Sequence, residues 1–280
     1  MLGKLFKYEW RSFWKVPAAI NVFLLIITLI GAISLISPFW ELNFGIMDTL
    51  MVVAIMFYYL AIMAGAIAVA VYIAIRFYKN VYTDEGYLTH TLPVAPRDII
   101  FSKLFVSVIW SIITGIVICI SVFFILFAAM KDYINTDEFV TVWQELQRDV
   151  LPVMEEAFGM NLFVFALFVI LIMIVNTFFS IFMTYSAISL GQMFTKHKVA
   201  GAVIWYVAEY VIVQFGSSML MNIPLLGLIS EPYAAAAMTP SDVGAMVKLM
   251  LIGSVILSII IGALLYLLTE YMMRRRLNLD

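Results

Sequence analysis

Six stretches of this chain are apolar for long enough to cross a lipid bilayer, and that limits the fold more than any other feature. A spanning helix needs about 20 predominantly apolar residues, because the hydrocarbon core is about 30 Å thick and a helix rises about 1.5 Å per residue. The runs 17–37, 50–75, 104–129, 161–188, 199–222 and 247–269 meet that requirement. Only 12% of the 280 residues are charged, against about 25% in an ordinary soluble domain, so most of the length must face lipid or other apolar helices. The expected fold class is an all-α polytopic membrane protein, one transmembrane domain over 1–280 with no tandem repeat, low-complexity tract or separate soluble domain.

The placement of charge orients the spans. Lysine and arginine number four in 1–16, four in 76–103, two in 189–198 and three in 270–280, whereas the remaining connections hold only Lys131, Arg148 and Lys248. Those connections instead carry eleven acidic residues, from Glu41, Asp48, the 131–160 loop, Glu231 and Asp242. By the positive-inside rule both termini are cytoplasmic, in agreement with an even number of spans in the cell membrane. Arg274, Arg275 and Arg276 then lock the cytoplasmic end of the last span. The single cysteine, Cys119, lies within a span and excludes an intrachain disulfide. The first apolar run is too long for the h-region of a cleaved signal peptide and reads as a retained span.

Residues 2–16 separate into two faces at helical period. Lys4, Lys7, Arg11 and Lys15 form one, and Leu2, Leu5, Phe6, Trp10, Phe13 and Trp14 the other. The expectation is an interfacial helix over 1–16, with cations towards anionic headgroups and aromatics at the acyl boundary, acting as an orientation anchor or also as a lever touching a cytoplasmic partner. Pro17 follows at a helix-start position, where its missing N–H costs nothing. In the second span Ala61 and Gly65, Ala64 and Ala68, and Ala66 and Ala70 stand four apart, a spacing that lets helix backbones approach closely in lipid.

The segment 76–103 is the longest polar stretch on the cytoplasmic side. Thr83 is placed to cap a helix, Asp84 and Glu85 suit the positive end of its dipole, and Pro93 stops it. Pro96 restarts the chain as a first helical residue, with Asp98 in the first turn of the third span. The segment is therefore expected to be a short, punctuated helix and not a slack connector.

On the outer side, the 131–160 segment sets Phe139, Trp143, Leu146, Val150, Met154 and Phe158 at steps of three or four, which argues an amphipathic helix bent or restarted at Pro152. It covers the outer ends of the spans or grips a substrate. Glu209 lies near the middle of the fifth span. A carboxylate at that depth costs at least about 2.5 kcal/mol on insertion scales, so it needs a partner or a watery cavity. Either it holds helices together, with Asn176 or across a dimer axis, or it borders a translocation path together with Gln214. Residues 223–246 are broken by Pro224, Gly227, Pro232 and Pro240, which suggests a re-entrant or interfacial segment between spans five and six.

Several chemistries are missing. His90 and His197 are the only histidines and both sit in cytoplasmic loops, so no nucleophile has a histidine base within the membrane. There is no H-E-x-x-H helix, no metal-ligand set and no G-x-x-x-x-G-K-[ST] phosphate loop. No catalytic residues, cofactor, metal or nucleic-acid partner are expected, and ATP-driven work would need a second subunit.

The D-E-G-Y-L-T…L-P pattern, at Asp84–Thr89 and Leu92–Pro93 within FYKNVYTDEGYLTHTLPVAPRDIIFSK, resembles the second cytoplasmic segment of ABC-2 type transporter permeases, the short six-span kind of Firmicutes-like bacteria. The remaining likeness is architectural and covers the whole chain. The resemblance implies that 76–103 forms the coupling helix docking on an ABC ATPase subunit, through Asp84, Glu85, Gly86, Tyr87, Leu88 and Thr89. It implies that the N-terminal helix is the connecting helix, that spans one and five face a dimer axis shared with a second copy or a related permease, and that spans two and five border the path. It places Glu209 near that interface. It further implies ATP-driven export of an amphipathic or hydrophobic substrate such as an antimicrobial peptide or a drug, with ATP and magnesium bound by the partner subunit. The alternative is an ATP-independent secondary transporter or membrane scaffold in which Glu209 carries a proton or braces helices.

Overall fold

A computed structural model describes residues 2–37, 47–91, 93–130, 137–230 and 239–275. Every described element is a helix. In chain order they are α1 (Leu2–Phe13), α2 (Lys15–Ile36), α3 (Met47–Tyr82), α4 (Asp84–Thr91), α5 (Pro96–Ala129), α6 (Asp137–Glu145), a π-helical turn (Leu146–Val150), α7 (Leu151–Phe158), α8 (Leu162–Gly191), α9 (Lys198–Ser230) and α10 (Pro240–Arg275). Six stretches within α2, α3, α5, α8, α9 and α10 are long and apolar enough to cross a membrane, and each overlaps one of the six apolar runs. In α3, α5 and α10 these stretches hold 34 residues, about 51 Å of helix, so they project beyond the hydrocarbon.

Contacts divide the chain into two compact units: Met1–Asn80 with Pro93–Thr141, and Val81–Leu92 with Val142–Asp280. In the first, α2 packs along α5. Polar groups stitch this pair: Asn21 Nδ2 donates to Pro17 O at 2.9 Å and across to Thr114 Oγ1 at 3.1 Å. Interhelical bonds of this kind contribute about 0.6 kcal/mol each in membrane helices. Leu35, Tyr58, Ile62, Ile125 and Ala128 form an apolar cluster. The small residues of α3 are only partly used for packing. Gly65 is buried against Leu24, whereas Ala64, Ala68 and Ala70 are exposed, because the buried stripe runs through Ile62, Gly65, Val69 and Ile73.

The amphipathic N-terminal helix forms, but its apolar face meets protein. Helix α1 packs on α5, with Trp10 against Trp110 (ring centroids 5.7 Å apart) and Phe13 against Tyr72 (5.0 Å). The expectation that its aromatics line the acyl boundary is therefore corrected for Trp10 and Phe13, while the half-buried Phe6 stacks on Trp10 of the same helix. Only Leu2 and Trp14 of that face are exposed.

In the second unit α8 packs against both α9 and α10, and α7 packs on α10. The α8–α9 connection is tight because Gly191 lies against the backbone of Ala202. Asn161 caps α8 by accepting from Val164 N at 2.9 Å, and Gly159, with φ of 60°, ends α7 in the left-handed conformation that glycine adopts freely. The outer helix restarts at Pro152 as expected: the proline stands in the first turn of α7, where its missing N–H costs little, and the π turn lies immediately before it. Residues 131–136 of that segment, and the side chains of 137–139 and Trp143, lie outside the described residues.

The segment 223–246 differs from its expected break. Residues 223–230 continue α9 as helix and 240–246 belong to α10, while 231–238 lie outside the described residues. Proline within a membrane helix removes one backbone bond without ending the helix, because neighbours and local adjustment satisfy the freed group. Arg276, and the side chain of Arg275, are likewise outside the described residues.

Candidate functional site

Helix α4 forms where the capping pattern puts it. It starts after Thr83, whose carbonyl accepts from Gly86 N at 2.6 Å, and it ends at Thr91, shortly before Pro93. Helix α5 then begins at Pro96 with Asp98 in its first turn. Asp84, Glu85 and Tyr87 are exposed, Tyr87 at 64%, while Gly86 is buried. The side chains of Leu88 and Thr89 lie outside the described residues. The approach to α4 is anchored by Val81 and Tyr82, both buried. Tyr82 donates its phenol to Ser189 Oγ at 2.8 Å, and Ser189 donates on to Tyr185 O at 2.8 Å. The short helix thus presents two acids and an aromatic ring from a base fixed to the last turns of α8.

Residues at the two ends of the polar segment converge on α1. Glu9 Oε2 accepts from Lys103 Nζ at 2.8 Å, and Glu9 Oε1 lies 3.7 Å from Arg76 Nε. Arg76 also donates to Ser12 Oγ. Lys103 and Glu9 are 7% and 13% exposed and Arg76 24%, so the carboxylate sits between two cations with little water. Sequence reading passed over Glu9. Its spacing of four from both Leu5 and Phe13 puts it on the apolar stripe of α1, where a charge demands a partner, and Arg76 and Lys103 were the basic residues nearest the flanking spans.

Glu209 is buried, at 7% exposure, and its partner is Ser186, which is fully buried. Ser186 Oγ lies 2.9 and 2.8 Å from the two carboxyl oxygens and 3.0 Å from Met183 O, so three acceptor oxygens surround one hydroxyl. Asn176 is not part of this group; it accepts instead from Ser258 of α10 at 3.3 Å. Gln214 is exposed, and five residues along a helix turn it about 140° away from Glu209. The three residues therefore belong to three different places. The Ser186 partnership was readable in principle. Ser186 lies 11 residues before His197 and Glu209 12 residues after it, and in an antiparallel helix pair closed by a short turn such residues face each other.

On the outer segment Arg148 donates to Asp149 from Nε at 2.9 Å and Nη2 at 3.1 Å, and that carboxylate raises the guanidinium above its ordinary range. Lys248 Nζ reaches Phe158 O at 3.5 Å, setting a cation at the negative end of α7. Among the described residues no three metal-ligating side chains come together. By the length and apolarity of six helices, the chain is a multi-pass membrane protein. No family model matches it, and neither does any curated protein or solved structure.

Proposed function

We propose that this chain is the permease subunit of an ABC-2 type transporter. It dimerises with itself or a related permease in the cell membrane, both termini cytoplasmic, and engages separate ATPase subunits that bind ATP and magnesium. Six spans and the resemblance of Asp84–Pro93 to the coupling segment support this reading. The observation that carries it is the build of α4: Asp84, Glu85 and Tyr87 stand in the open, while Tyr82 at the base is bonded to Ser189 of α8. A partner pushing on α4 would move a packed span and not a slack loop. In this account the nucleotide work of the partner reorients the spans and exports an amphipathic or hydrophobic substrate, such as an antimicrobial peptide or a drug. Tagged full-length protein should co-purify with a P-loop ATPase, and Glu85→Lys should lose it while the protein still folds. Failure to recover such an ATPase, with transport unchanged by Glu85→Lys, sinks the reading.

The second reading, an ATP-independent carrier, rests on the buried Glu209–Ser186 contact. Transport that survives ATP depletion but stops on dissipating the proton gradient, and in Glu209→Gln, would favour it over the permease.

A further inference from the structure

We infer that the outward face of α1 is a binding stripe for the headgroups of anionic phospholipids, independent of which transport reading holds. Lys4, Lys7, Arg11 and Lys15 fall within an arc of about 80° at 100° per residue. The helical phase carries across Trp14, because Trp14 N donates to Trp10 O and Ala18 N to Trp14 O. All four cations are exposed, and none of them forms an ion pair among the described residues.

The one acid of the helix, Glu9, points the opposite way and is committed to Lys103 and Arg76. Its withdrawal leaves cations as the only charged groups on the exposed side of α1, beside uncharged Tyr8 and Ser12, a charge pattern complementary to a phosphate-bearing surface. Internal neutralisation of Glu9 therefore does two things at once: it docks α1 on α5, and it removes the only carboxylate that would repel a phosphate. Position selects lipid over an acidic protein. The stripe ends at Lys15, the first residue of the spanning helix α2, and it is flanked there by exposed Trp14, a residue type enriched at the membrane–water boundary. Of the apolar side of α1 only Leu2 and Trp14 are exposed, so what the leaflet can still read on this helix is chiefly charge.

The test uses purified full-length protein in detergent, with native mass spectrometry counting bound dioleoylphosphatidylglycerol against dioleoylphosphatidylcholine. Basic residues near an anionic surface each strengthen binding about fivefold. Lys4→Gln with Lys7→Gln should thus weaken phosphatidylglycerol binding about 25-fold and leave phosphatidylcholine binding unchanged, and Lys4→Arg with Lys7→Arg should keep the preference. Equal binding of the two lipids by the unaltered protein overturns the proposal. So does a preference that persists when all four cations are glutamine. Loss of an associated protein from the glutamine variant, with its lipid preference intact, would assign the stripe to an acidic partner and overturn it equally.

Discussion

The ion pair of Glu9 offers the sharpest quantitative prediction. Lys103 Nζ is 2.8 Å from the Glu9 carboxylate and the lysine side chain is 7% exposed, so Glu9→Leu takes the counter-charge away from an ammonium that water barely reaches. Removing one partner of a buried pair costs about 3–5 kcal/mol. Residual access of Glu9 and Arg76 to water argues for the lower end, about 3 kcal/mol, or roughly a hundredfold in the folding equilibrium. Lys103→Met should cost less, about 1–2 kcal/mol, because Arg76 remains beside Glu9. The double variant should recover most of the loss, since well-packed apolar replacements of a buried pair are often near neutral, leaving a coupling energy of about 2 kcal/mol or more. Unfolding in detergent can be followed by the fluorescence of Trp10 and Trp110, whose rings lie 5.7 Å apart at the α1–α5 contact, with phenylalanine at the other four tryptophans. Two single variants that each cost less than about 0.5 kcal/mol and simply add would refute the argument, for that is the behaviour of a solvated surface pair.

Other substitutions probe the second unit. Ser186→Ala leaves the Glu209 carboxyl without the hydroxyl that lies 2.8 and 2.9 Å from it and should cost about 1–3 kcal/mol in thermal unfolding. Glu209→Gln, which keeps an acceptor, should cost less, and the reverse order would show that Ser186 is not its partner. Gly244→Ala drives a methyl into the backbone of Ala157, and Gly191→Ala into that of Ala202; each should destabilise by about 1–3 kcal/mol or more. Gly115→Ala meets nothing within 4 Å and should be neutral or slightly stabilising, so equal losses at all three glycines would contradict the packing. Tyr82→Phe removes the phenol that donates to Ser189 and should cost about 1 kcal/mol by the same measurement.

What the sequence discloses here follows from the range of each signal. Spans are read from composition over about 20 residues, a signal the bilayer imposes on every such helix, and all six runs coincide with long helices. Helix α4 was legible from Thr83, Asp84, Glu85 and Pro93, because capping and proline punctuation act within one or two turns. Partners were not, because they depend on which helix meets which. Asn176 and Ser186 are both polar residues on the span before Glu209, and only the closeness of the α8–α9 turn selects Ser186. The aromatic face of α1 looked membrane-facing because an apolar stripe does not say whether lipid or protein covers it; Trp110 and Tyr72, distant in sequence, decide that. Pro224 misled in the other direction, since a residue that ends helices in water is tolerated inside membrane helices.

The proposed docking of an ATPase subunit on α4 can be captured directly. A photo-crosslinking amino acid in place of Tyr87, which is 64% exposed, tests this in cells making the full-length protein, with the captured chain identified by mass spectrometry. A single dominant adduct with a protein carrying a P-loop is expected, lost on adding Glu85→Lys. A folded, membrane-inserted protein that gives no such adduct from this position, while its transport persists, would contradict it.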